Sequence, residues 1–144
     1  MRIDCALLCD AATVRDGLLH VLGGGITRVT RPEFPAPVGM MLALRILEHP
    51  TELDRPHHLR IQLQGEDGQA IGQMDAQIGV ADPALVPVGE EASLPLPLAL
   101  PPGAGLPTPG RYSFEILIDG IHQATVPFTA VHDPNQGGID GAEQ

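Results

Sequence analysis

The sequence predicts an all-β domain, an antiparallel β-sandwich of about eight short strands of the immunoglobulin-like or jelly-roll type, with little or no helix. Two observations lead to this prediction. Apolar and polar residues alternate with a period of two along much of the chain, and 17 Gly and 15 Pro interrupt the alternation at short intervals. Helical periodicity is nearly absent. A closed β-barrel is the second architecture that fits this pattern.

The first elements are a strand and a hairpin. Apolar residues predict a strand over Arg2–Cys9, and Asp16-Gly17 predicts the turn of a hairpin that leads into Leu18–Leu22. Asp-Gly between two apolar runs is a strong short-range hairpin signal. The glycines Gly23–Gly25 then indicate a bulge or a sharp bend before a strand resumes at Ile26.

An irregular segment and a long strand follow. Three prolines surround Phe34 in residues 31–38 and exclude a regular strand there. Gly39–Glu48 is predicted to be a long apolar strand. Its expected inner face consists of Leu42, Leu44 and Ile46.

The clearest half-buried strand lies just after the polar connection 49–56. Leu59, Ile61 and Leu63 alternate there with polar residues, as expected for a strand with one face in the core. A turn at 65–68 leads into a further strand over residues 69–80.

The last predicted strands include one at a sheet edge. Leu94–Leu100 alternates leucine with Pro95 and Pro97, and a strand with two prolines cannot be paired fully on both sides. After the Pro/Gly-rich loop 101–110, apolar residues alternate from Tyr112 to Ile118, and Asp119-Gly120 predicts a turn into a final strand over 123–131. The inner face of that penultimate strand is Tyr112, Phe114, Ile116 and Ile118.

The length of 144 residues fits one domain, which we place at residues 1–132. From Asp133 onward the composition predicts a disordered acidic tail over 133–144.

The charge of the chain excludes several classes of partner and reaction. A formal net charge of −10 opposes the neutralisation of phosphates, so we expect no nucleic-acid and no membrane partner. All eight basic residues are arginine. Because the P-loop, the kinase core and pyridoxal enzymes each need a lysine, none of these mechanisms is available.

The two cysteines favour a reducing compartment. Cys5 and Cys9 are four residues apart in a predicted strand, a separation of roughly 13 Å that no disulfide spans. Asp4 and Asp10 interrupt the apolar run that a signal peptide would need. We therefore expect a cytoplasmic protein.

Several segments together resemble an uncharacterised family of small bacterial, largely actinobacterial, proteins that is known only as a domain of unknown function. The resemblance rests on residues 4–11, 14–17, 21–25, 34–37 and 109–115, and it spans about residues 1–131. It implies family membership and no activity, ligand or catalytic residue.

The leading functional hypothesis is a non-catalytic module that binds a protein partner or forms a homo-oligomer. Neither serine lies in a Gly-x-Ser-x-Gly elbow, and no cofactor motif is present, so we expect no enzyme and no cofactor. Apolar residues near proline-rich segments are the candidate contacts. They are Phe34, Leu94, Leu96, Leu98 and Leu106.

The alternative hypothesis is a β-sandwich that binds a metal or a small ligand through the loop His49–His58. His49, Asp54 and His57 could supply imidazole and carboxylate ligands, although their spacing matches no zinc motif. His57 and His58 should point to opposite faces if they begin a strand, so only one of them could join such a site.

Overall fold

Twelve strands and two 3₁₀ turns form the part of the chain, residues 1–100 and 105–135, that the computed structural model describes. The all-β prediction is confirmed, and the strand count is higher than the predicted eight. The strands are β1 Arg2–Cys9, β2 Ala11–Arg15, β3 Leu18–Leu22, β4 Arg28–Arg31, β5 Ala36–Pro37, β6 Met41–Glu48, β7 His57–Gly65, β8 Ala70–Ile78, β9 Ala92–Ala99, β10 Gly105–Leu106, β11 Gly110–Ile118 and β12 Ile121–His132. The 3₁₀ turns are Pro50–Glu52 and Pro83–Leu85. None of these helical turns has the length or hydropathy of a membrane crossing.

Two sheets form the sandwich. The larger has the order β4-β12-β11-β7-β8, and the smaller has the order β1-β6-β9. The pairs β2–β3 and β5–β10 are separate two-stranded ribbons. All neighbours are antiparallel except β4 and β12, which run parallel.

The core lies between the inner faces that the alternation predicts. The predicted apolar residues of β6, β7 and β11 are all buried, and they pack together with Phe128 and Val126 of β12. The two predicted Asp-Gly turns are also present. Asp16 and Gly17 have φ of 54° and 71°, and Asp119 and Gly120 have φ of 52° and 79°, as a two-residue hairpin turn with both residues left-handed requires.

The additional strands lie in segments that were predicted to be irregular because they are rich in proline and glycine. Within the irregular region 31–38, Ala36–Pro37 pairs with Gly105–Leu106 from the predicted loop 101–110. Residues 101–104 of that loop lie outside the described residues, as does most of the predicted tail, 136–144. Strand β12 ends at His132.

The prediction of an edge strand over Leu94–Leu100 is confirmed, because among the described residues β9 pairs only with β6. Proline is tolerated in a paired strand where its nitrogen faces away from the neighbour. The outer edge of β9 therefore lacks the backbone donors of Pro95 and Pro97, which protects it against a further strand.

Candidate functional site

A buried histidine connects the two sheets at one end of the sandwich. His57, the first residue of β7, is 2% exposed. Its Nδ1 lies 2.6 Å from Asp119 Oδ2, and its Nε2 lies 3.0 Å from the Glu52 carbonyl oxygen and 3.3 Å from Glu48 Oε1. Glu48 ends β6 in the smaller sheet, and Asp119 lies in the turn between β11 and β12 of the larger one. We call Glu48, His57 and Asp119 the His57 cluster.

The partners of His57 favour a proton on each of its ring nitrogens. A backbone carbonyl and ionised carboxylates can only accept hydrogen bonds, so both ring nitrogens face acceptors. The geometry therefore fits the imidazolium, which donates from Nδ1 to Asp119 and from Nε2 toward Glu52 and Glu48. Burial lowers the pKa of His57, but the hydrogen bonds to Asp119 and the Glu52 carbonyl, and the charges of Asp119 and Glu48, raise that pKa above 6.5.

Within this cluster, the burial of the Glu48 carboxylate has the largest free-energy cost. Its side chain is fully buried, and neither carboxylate oxygen makes a hydrogen bond of ordinary geometry with the described residues. The backbone N–H of Val80 lies near the carboxylate and lowers the pKa of Glu48, although it does not form a hydrogen bond of ordinary geometry. Burial raises the pKa of Glu48, and His57 opposes this rise. Its negative charge is thus balanced mainly through space by His57, an arrangement that becomes unfavourable if His57 loses its proton.

Asp119 holds the beginning of β7 from the opposite side. Its Oδ1 accepts the backbone N–H of His58 at 2.9 Å, and its own N–H donates to the His58 carbonyl oxygen at 2.8 Å. The hydrogen bonds from His57 and from the His58 N–H lower the pKa of Asp119. The carboxylate is half exposed, so the cluster is open to water on this side.

Glu52 fixes the carbonyl group that faces His57. It closes a capping box at the 3₁₀ turn Pro50–Glu52, in which its Oε1 accepts the backbone N–H of His49 at 3.2 Å. The same oxygen forms an ion pair with the amino group of Met1. The hydrogen bond from this amino group is the main reason that the pKa of Glu52 is lowered.

The structure does not bring the predicted metal ligands together. His57 turns inward to Glu48 and Asp119, whereas the Nδ1 of His49 accepts the Thr51 N–H at 3.2 Å and caps the turn. Asp54 is exposed and lies 3.6 Å from Arg55. Among residues 1–100 and 105–135, no group of three or more His, Cys, Asp or Glu is arranged to hold a metal ion. The set His49, Asp54 and His57 fails because the strand alternation that buries Leu59 also buries His57.

The predicted partner-binding residues are less exposed than the sequence suggests. Leu94, Leu96 and Leu98 pair with inner-facing residues of β6 and pack, half-buried, against the core. Leu106 is fully buried, so it offers no surface to a partner. Phe34 is half-buried against the core, with its ring centroid 6.4 Å from that of His132.

The cysteines are free thiols, as the sequence predicts. Cys9 is fully buried, and its Sγ lies 3.6 Å from the Met41 carbonyl oxygen. Burial raises the pKa of the Cys9 thiol, which keeps it unreactive.

Strand β8 forms an edge of the larger sheet. The hydrogen bonds of its neighbour β7 show which backbone groups of β8 point outward. The N–H of His58 donates to Asp119 and its carbonyl accepts from Asp119, so the backbone of His58 points toward β11. In an antiparallel strand the direction alternates, so His57, Leu59 and Ile61 bond toward β8. Their partners are Ile78, Ala76 and Met74. The backbone groups of the intervening residues, Gln73, Asp75 and Gln77, therefore point outward, and nothing in the described part of the chain bonds to them.

The surroundings of β8 suit an extended ligand. On the inner side, Ala76 is exposed and Met74 and Ile78 are half-buried, so the smaller sheet does not fully cover this rim. On the outer side, Asp75 is 2.8 Å from both His58 Nε2 and Arg60 Nε. An open cleft of about 370 Å³ adjoins the end of the strand. It is lined by Leu53, Asp54, Arg55, Pro56, Gln77, Ile78, Gly79, Val80 and Pro83.

The other edges of the two large sheets are less accessible. Prolines block β9, and β4 has only four residues. The edge of β1 is partly occupied, because Gly25 and Ile26 donate their N–H groups to the Leu8 carbonyl oxygen at 3.0 and 2.9 Å. The nine-residue β8 is therefore the longest open edge in the described ranges.

The fold and these two features define a small two-sheet β-sandwich with one open edge and a buried carboxylate–imidazole cluster. A family model matches residues 4–131, and the chain belongs to this family, the family of unknown function DUF6941. No curated protein matches the sequence.

Proposed function

We propose that this protein is a non-catalytic binding module that takes up an extended segment of a partner protein as an additional strand beside β8. The observation that carries the proposal is the row of outward backbone groups on Gln73, Asp75 and Gln77, which have no partner in the described part of the chain. Backbone hydrogen bonds at such an edge supply affinity, and alternate side chains of the ligand supply specificity.

The chemistry around β8 favours a partner segment with alternating apolar residues and flanking Lys or Arg. One apolar row of the ligand would cover Met74, Ala76 and Ile78, which the smaller sheet leaves incompletely covered. Exposed carboxylates lie near both ends of the strand, and the whole chain carries a charge of −10. They are Glu66 and Asp67 before β8, and Asp54 and Asp82 at its far end.

A second copy of the chain is a less favourable occupant. Antiparallel pairing of two β8 strands would place the acidic start of one strand beside the acidic end of the other, and like charges across an interface are unfavourable. A basic heterologous segment would meet carboxylates of opposite charge at both ends, and Arg55 is the exposed positive group that it would meet in the cleft.

A cytoplasmic location in a bacterial, actinobacterial source belongs to the same proposal. It is supported by two free thiols, one of them fully buried, and by basic residues that are all arginine.

The test uses a displayed library of random peptides and a proline in the β8 edge. Gln77→Pro removes one outward donor while leaving the bonds to β7 intact, as Pro95 and Pro97 do in β9. Gln77→Thr is the matched control, because it removes the same exposed side chain and keeps the N–H. Peptides are selected on the unmodified protein at low salt, and their Kd values are then measured for all three proteins by fluorescence polarisation.

We expect alternating apolar peptides with flanking Lys or Arg, and a Kd that rises about tenfold or more in Gln77→Pro but stays within about twofold in Gln77→Thr. Salt should also raise the Kd. Circular dichroism establishes that the variants fold, and Gln73→Pro serves if Gln77→Pro does not. Equal binding by both variants, or a library without binders, would overturn the proposal. If analytical ultracentrifugation shows a dimer that Gln77→Pro abolishes, the occupant of the β8 edge is a second copy of the chain and not a partner segment.

A further inference from the structure

The His57 cluster has a geometry that depends on a single proton. Its acidic members come from different sheets, and they are joined only through the His57 ring, whose two nitrogens both face acceptors. If the ring becomes neutral with Nδ1–H toward Asp119, the Nε2 lone pair faces the Glu52 carbonyl oxygen and the Glu48 carboxylate. The contact between the sheets then changes from attraction to repulsion.

We infer that Glu48, His57 and Asp119 form a proton-linked clasp, which closes this end of the sandwich while Glu48 and His57 share one proton and opens when that proton is lost. The pair can hold the proton as imidazolium and carboxylate, or as imidazole and carboxylic acid. In either form one hydrogen lies between Nε2 and the carboxyl group. Only the fully deprotonated pair leaves Glu48 as a buried anion without a partner.

The charged groups around the clasp determine the direction of the response. Glu52 and Asp119 add negative charge beside the ring, while the amino group of Met1 is engaged by Glu52 and Arg55 lies near Asp119. The negative groups outnumber the positive ones close to the ring, which favours retention of the proton in the closed state. Opening releases the proton, so rising pH promotes opening.

The part that opens is defined by the register of the strands. His57 pairs with Ile78, the last residue of β8, and Val80 faces Glu48. Loss of the clasp should therefore expose the first residues of β7 and the chain after β8, whereas the centre of the core around Ile61 stays closed. This inference does not depend on a ligand at β8.

Amide hydrogen exchange by NMR, corrected for intrinsic rates, tests the clasp at pH 6.5 to 9. We expect the opening equilibrium of Leu59 and Ile78 to rise with pH, approaching tenfold per unit, with little change at Ile61. In Glu48→Gln the amide can donate to a neutral imidazole, so this slope should fall close to zero. Glu90→Gln, an exposed change of the same type, should keep the slope of the unmodified protein.

An equal slope in Glu48→Gln, or no pH dependence at Leu59 and Ile78 in the unmodified protein, would overturn the inference. If Glu48→Gln does not fold, the ¹⁵N shifts of the His57 ring in the unmodified protein decide the question. Together with the ¹³C shift of the Glu48 carboxyl group, they support the clasp if the pair still holds its proton at neutral pH, on either residue. A neutral His57 ring beside an ionised Glu48 at pH 6.5 contradicts it.

Discussion

Glu48 and His57 face each other across the two sheets, with Oε1 and Nε2 3.3 Å apart and no exposed area on either side chain. Each residue lowers the free-energy cost of burying the other. An isolated charge here would cost far more than the pair does, because the interior offers neither group a sufficient substitute for water.

His57→Ala should lower the free energy of unfolding by about 3–5 kcal/mol at pH 6, because it leaves Glu48 buried without a cation. Urea unfolding followed by circular dichroism measures this loss. His58→Ala is the adjacent control, since the His58 side chain is exposed and pairs with Asp75, while its backbone bonds to Asp119 remain; we expect a change within about 1 kcal/mol. Similar losses in the two variants would show that His57 contributes no more than an exposed histidine.

The stability of the folded protein should be greatest at weakly acidic pH. Glu48 and His57 have folded-state pKa values raised above 4.5 and 6.5, so they stabilise the fold below these values and lose their contribution as pH rises. Asp119 has a lowered pKa, so its contribution is complete above 3.8 and is lost as pH falls further. Thermal unfolding from pH 3 to 9 should give a Tm that declines at both ends. A Tm that increases steadily from pH 6 to 9 would contradict the assignment.

Ile61→Ala should cost about 2–5 kcal/mol, because the side chain is 3% exposed in the middle of the core. Gln62→Ala, on the opposite face of the same strand, should change stability by about 0.5 kcal/mol. The comparison uses chemical denaturation of both variants. A loss below about 1 kcal/mol for Ile61→Ala would mean that the inner face of β7 is assigned incorrectly.

Replacing Pro95 and Pro97 together with Val should promote self-association, because it restores two outward donors on the edge of β9. Light scattering over a range of concentrations measures the effect. Pro87→Val, a change in an exposed loop, is the control and should remain like the unmodified protein. An unchanged molecular mass for the double variant would show that another part of the molecule protects this edge.

The alternation of residues predicts the core strands well because one-sided burial imposes a period of two. The same alternation contains a signal for the His57 cluster: Glu48 continues the inner face of Leu42, Leu44 and Ile46, and His57 precedes Leu59 on the inner face of β7. An extension of each inner face by one step would have placed both groups inside. Their meeting with Asp119 could not be predicted, because it depends on how two sheets and a turn are superposed.

The sequence did not predict the β5–β10 ribbon or the open edge of β8. Ala36–Pro37 and Gly105–Leu106 are too short to give a periodic signal, and they pair because the rest of the fold brings them together. The apolar residues Leu94, Leu96 and Leu98 suggested an exposed surface, yet the same alternation turns them toward the core. Whether such an apolar row is exposed or faces the core depends on which strands pack against it in the folded protein.

The parallel pairing of β4 with β12 has a consequence for synthesis on the ribosome. Arg28 lies beside Thr129, so the fourth strand acquires its neighbour only when the twelfth has been made. Strand β12 also separates β4 from β11 in the larger sheet. A nascent chain that ends before residue 121 therefore has an incomplete sheet and an uncovered core, and the domain can reach its native state only as its last strand leaves the exit tunnel.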